Sequence, residues 1–118
     1  MAITSEGKTL YLNGGDVNPV KIVGHTAAPN ATGTTNRIGA LVACAFGVSA
    51  GGAARPMSAD VTVAVPAGVT DWTHFSVYNA SNVCLHIQAL NTPRTGLVEG
   101  DSIVFKSTGP DAISISIP

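Results

Sequence analysis

The chain has 118 residues, room for one domain over residues 1–118 with no linker or second core. Hydrophobic residues make up 45 % of it and charged residues only 11 %, against about 25 % charged in an ordinary soluble domain. The net charge of −1 excludes a nucleic-acid partner held by phosphate neutralisation, and no apolar run reaches the roughly 18 to 20 residues of a membrane span. A surface this poor in charge is expected to lie packed against copies of itself or another large surface.

From the N-terminus, Met1–Lys8 has neither the basic start nor the apolar stretch of a signal peptide, so export through one is not expected. Gly7-Lys8-Thr9 has the tail of a phosphate-binding loop, but Ala2 stands where the first glycine belongs. Thr9–Leu12 and Val20–Val23 read as strands flanking a reversal at Asn13-Gly14-Gly15-Asp16. Thr26–Asn36 is a polar loop without periodicity.

From Arg37 to Ser49, Ile38, Ala40, Val42, Cys44, Phe46 and Val48 alternate with Gly39, Leu41, Ala43, Ala45, Gly47 and Ser49. Ile38–Phe46 tolerates a helix, but the period of two favours one long strand, with Gly39 and Gly47 as sites of a bulge or close approach. Ala50–Pro56 is a second breaker-rich loop. Val61, Val63 and Val65 then alternate up to the break at Pro66-Ala67-Gly68. Phe75 and Val77 alternate up to the turn Asn79–Asn82, followed by Val83, Leu85, Ile87 and Ala89. Ile103 with Phe105, and Ile113, Ile115 and Ile117, complete the pattern. Seven or eight short strands between Gly, Pro and Asn clusters predict an all-β, antiparallel sandwich or jelly-roll-like domain.

Gly47-Val48-Ser49-Ala50-Gly51 matches the nucleophile elbow G-x-S-x-G, with His74 or His86 as base and Asp71 or Asp101 as its orienting partner. The elbow needs a helix after the serine and a large parallel sheet beneath it, and this chain supplies neither, so the segment reads as a loop. Asp71, His74 and His86 have spacing for a two-histidine, one-carboxylate metal site, but no His-x-His or His-x-x-x-His pair marks it. The aspartates at 16, 60, 71, 101 and 111 are scattered singly, unlike a calcium loop. Trp72 and Tyr78 form a stacking patch if both face outward with His74 and Ser76, and otherwise serve a core or subunit interface. Cys44 and Cys84 read as free thiols, and the sequons at Asn30 and Asn79 as polar turns. No catalytic, cofactor-binding or metal-binding residue is assigned.

One order of pieces spans nearly the whole chain. Ser5-Glu6-Gly7-Lys8 is followed by His25-Thr26-Ala27-Ala28-Pro29 and Thr32-Gly33-Thr34-Thr35-Asn36. Val65-Pro66-Ala67-Gly68-Val69-Thr70 precedes the aromatic stretch Trp72–Tyr78. Pro93-Arg94-Thr95-Gly96-Leu97-Val98-Glu99-Gly100-Asp101 leads to the final Ile113-Ser114-Ile115-Ser116-Ile117. This order resembles small virion proteins of tailed bacteriophages, of the capsid decoration or tail fibre type. The chain departs from that pattern at Ala28, where an acidic residue is usual, and in a first segment that reads as less helical.

The resemblance implies a structural, noncatalytic role on a virion, made in the host cytoplasm. Together with the composition it gives the expectation of a homo-oligomer, a trimer, bound to the major capsid protein as decoration. The alternatives are a tail or tail-fibre accessory protein with a receptor-facing tip, and a carbohydrate-binding module. The expected contact or tip loops carry Thr26, Pro29, Asn30, Thr34 and Thr35 in the first loop and Arg55 and Pro56 in the second.

Overall fold

The computed structural model describes residues 2–47 and 54–116. Within them the order is β1 (Ala2–Ile3), α1 (Ser5–Leu12), β2 (Lys21–His25), β3 (Arg37–Ala43), β4 (Ala54–Pro56) and β5 (Val61–Ala64). It continues with β6 (Trp72–Tyr78), β7 (Cys84–Arg94), β8 (Ser102–Phe105) and β9 (Ser114–Ser116). A five-stranded sheet has the order β1-β7-β6-β2-β3, and two ribbons pair β4 with β9 and β5 with β8. Every one of these pairings is antiparallel. The chain is an all-β protein with one short helix.

The main core joins the sheet to both ribbons. Ile22, Phe75, Val77 and Leu85 from the sheet meet Ile103 and Phe105 of β8, Ile115 of β9, and Phe46, Met57 and Ile113 beside β4 and β9. Each large side chain moved from water into such a core contributes roughly 1.5–3 kcal/mol before entropy is counted. A smaller cluster of Val23, Tyr78 and Cys84, with Leu41 and Ile87 against it, lies apart from the first. Strand β6 feeds both clusters: Phe75 and Val77 enter the first, Tyr78 the second, and Ser76 is fully buried as well. Its alternation therefore separates two interiors rather than core from solvent.

The N-terminal segment differs from its expected strand. Thr9–Leu12 belongs to α1, and no hairpin with Val20–Val23 forms; β2 pairs instead with β3 and β6. The cause is local capping. Thr4 has extended backbone (φ −71°, ψ 164°) and its Oγ1 accepts the Gly7 N–H at 2.9 Å, while Glu6 lies in the positive first turn. The Thr4 hydroxyl also donates to the Cys84 carbonyl, and its N–H donates to Leu85 O at 2.9 Å, so the helix starts against β7. A Cβ on Gly7 would lie 2.7 Å from Leu85 O, so only glycine allows this approach.

The long strand expected to Ser49 ends at Ala43, and Phe46 reaches Met57 only through an isolated bridge. Gly39 does mark a bulge. Ile22 pairs with Val42 and Gly24 with Ile38, so β3 carries extra residues there, with Gly39 at φ +80°. A second bulge breaks the expected alternation of β7. Val77 pairs with His86 and Tyr78 with Cys84, so Leu85 joins the main core while Ile87 packs against the smaller cluster.

Candidate functional site

The best-organised surface feature is the loop between β2 and β3, residues Thr26–Asn36. Its exposed residues are short and uncharged: Ala27, Ala28, Asn30, Ala31, Thr32, Thr34, Thr35 and Asn36. Asn30 braces it from within. Its Oδ1 accepts the Thr34 N–H at 2.8 Å, its Nδ2 donates to Thr34 Oγ1 at 2.8 Å, and its own N–H donates to Thr35 Oγ1 at 2.9 Å. The loop ends are closed by Thr26 N–H to Asn36 O at 2.9 Å. Pro29 is half-buried and fixes the backbone just before this brace.

A buried polar chain holds the loop down. His25, with no exposed surface, places Nδ1 2.9 Å from Thr35 O and Nε2 2.6 Å from Ser76 Oγ. Ser76 Oγ lies 2.7 Å from the Tyr78 hydroxyl, which donates to Gly33 O. Arg37 donates from Nε to the same carbonyl at 2.9 Å, and its guanidinium lies 5.2 Å from the centre of the Tyr78 ring.

A carbonyl only accepts, so His25 Nδ1 carries a proton and neutral Nε2 accepts from Ser76. Neutral His25, Ser76 and Tyr78 then supply three protons to four contacts, and the Ser76–Tyr78 contact is the one left without a donor. A second proton on His25 would complete the chain, but burial pushes its pKa below the ordinary value, and Arg37 and His74 add to the repulsion. Burial likewise pushes Tyr78 up, and the Cys84 thiol up to about 11. Each of these shifts favours the neutral form, and the bonds to Thr35 O and Gly33 O tie His25 and Tyr78 to the loop.

The other candidate residues fall as follows. Trp72 and Tyr78 do not form an exposed stacking patch, a correction to that expectation. Trp72 is 5 % exposed, in the main core and edge-on to Phe105 at 5.2 Å, while Tyr78 is fully buried in the smaller cluster. His74 pairs in register with His25 and bonds Thr73, whereas His86 pairs with Val77. Asp71, His74 and His86 are not brought together, and among the described residues no three His, Cys, Asp or Glu side chains converge. Ser49 and the glycine-rich centre of the second loop lie outside the described residues. Of that loop, Pro56 is exposed and Arg55 is engaged, donating to Gly47 O at 2.9 Å and Phe46 O at 3.2 Å.

Both cysteines are free: Cys44 packs against the main core and Cys84 lies in the smaller cluster. Asn79 is 2 % exposed, and its amide donates to Asp16 O at 2.9 Å. The His25–Ser76–Tyr78 chain was missed in the sequence because its members are 51 and 53 positions apart. Comparison with protein-family models, curated proteins and solved structures finds no match.

Proposed function

We propose that this chain is a noncatalytic structural protein of a bacteriophage virion, a capsid decoration protein that assembles as a homo-oligomer. The observation that carries the reading is the Thr26–Asn36 loop. Buried His25, Ser76 and Tyr78 are committed to holding rigid a surface of Ala, Thr and Asn that recognises by shape and hydrogen bonding. A preorganised neutral loop suits repeated contact with a fixed neighbour, because little ordering entropy is lost on binding. The charge-poor composition and the order of sequence pieces support the same reading.

The same loop also favours a second reading, a tail or tail-fibre accessory protein with this loop as its receptor-facing tip. Copy number separates the two. Quantitative mass spectrometry of purified particles, referenced to the major capsid protein, is expected to give copies that scale with capsid subunits. A few to a few tens of copies would assign the protein to the tail, and absence from particles would overturn both readings.

A further inference from the structure

A cleft of about 220 Å³ opens at the far end of β7, floored by Trp72, Phe75, Leu90 and Ile113. Small-molecule sites usually measure roughly 300–1,000 Å³, so this cleft suits a single side chain better than a cofactor. Arg94, Lys106 and Asp111 stand at its rim: Lys106 is paired with Asp60 at 3.5 Å, Asp111 accepts a hydrogen bond from Thr92 at 3.3 Å, and Arg94 donates to Ser102 O at 3.0 Å with no carboxylate partner among the described residues.

The same molecule carries a matching projection. Leu12, the last residue of α1, is 87 % exposed, the most exposed large hydrophobic side chain among the described residues. Exposed Asp16 follows four positions later. The projection and the cleft lie at opposite ends of β7. Asp16 O accepts from Asn79, and Leu10 and Val83 line one surface pocket, beside the β6–β7 turn, whereas the cleft is lined by residues from Gln88 to Arg94. A copy therefore cannot fill its own cleft.

We propose that copies of this chain join head to tail, Leu12 of one copy seating in the β7 cleft of the next with Asp16 facing Arg94. The inference rests on the oligomer reading above and names its contact. Such a contact uses two different patches, so it closes into a ring when the rotation per copy allows. A buried aliphatic anchor flanked by complementary charge is the pattern of an interface hot spot.

Sedimentation of the full chain tests this with Leu12→Lys, which removes the projection, and Ala112→Trp, which blocks the exposed lip of the cleft. Wild type is expected to sediment as a discrete oligomer, and each variant to associate roughly thirtyfold more weakly or worse. An equimolar mixture of the two variants retains one intact projection and one intact cleft, so it is expected to form a 1:1 dimer that grows no further. Unchanged assembly of Leu12→Lys, or no dimer in the mixture, would overturn this contact while leaving the oligomer reading in place. A monomeric wild type at high concentration would overturn both. Unaltered circular dichroism in the variants distinguishes lost contact from lost folding.

Discussion

A methyl group at Gly33 would lie 2.5 Å from the Tyr78 hydroxyl and 2.9 Å from Cys84 Sγ, on backbone at φ +65°. Gly33→Ala is therefore expected to cost about 2 kcal/mol or more. Gly68→Ala has similar backbone strain (φ +83°) but open space, and should cost about 1 kcal/mol. Urea unfolding of the two variants checks the difference. His86 gives a second prediction at this scale. It is 5 % exposed, its Nδ1 has no hydrogen-bond partner among the described residues, and burial pushes its pKa down to about 4. Between pH 6.5 and 4 the unfolded chain takes up a proton that the folded chain refuses, so stability falls as pH falls. The loss totals about 3 kcal/mol once pH is well below 4. His25, shifted in the same direction, adds to it. Urea midpoints across this pH range should show the slope, His86→Leu should flatten it, and the His86 ring signals should titrate near pH 4.

At the scale of elements, Thr4 is the residue on which α1 depends. Thr4→Ala removes both the helix cap and the bond to the Cys84 carbonyl, with an expected loss of about 1–2 kcal/mol and faster hydrogen exchange at the Gly7 amide. Tyr78→Phe leaves the core filled but removes the donor to Gly33 O. The amides of Gly33 and Thr34 should then exchange about fivefold faster or more, since a lost hydrogen bond of this kind is worth roughly 1 kcal/mol or more. The strands were legible where alternation separates core from solvent, as in Val61–Val65 and Ile103–Phe105. Alternation misled at α1, because Leu10 and Leu12 mimic a strand while the cap is a single threonine. It misled again on β7, where the bulge opposite Val77 turns Leu85 and Ile87 to different clusters. The loop Thr26–Asn36 was legible as a loop from its aperiodic polar composition. Its anchors, brought together only by pairing of β2 with β6, were not.

For the molecule as a whole, the two thiols occupy different clusters, and burial holds the pKa of each up at about 11. No disulfide therefore supports the fold, and reductant is expected to leave the melting temperature unchanged within about 1 °C, a shift well below that of one lost disulfide. A drop with reductant would show a pairing that this arrangement does not contain. The placement of Trp72 has an optical consequence. It is the sole tryptophan of the chain, and its ring is wedged edge-on to Phe105 between the large sheet and the β5–β8 ribbon. Its fluorescence is thus a single-site gauge of that seam. If the ribbon lifts away before the sheet melts, emission will shift red while the far-ultraviolet signal holds, and the two traces will part. Coincident traces would identify the seam as part of one cooperative unit.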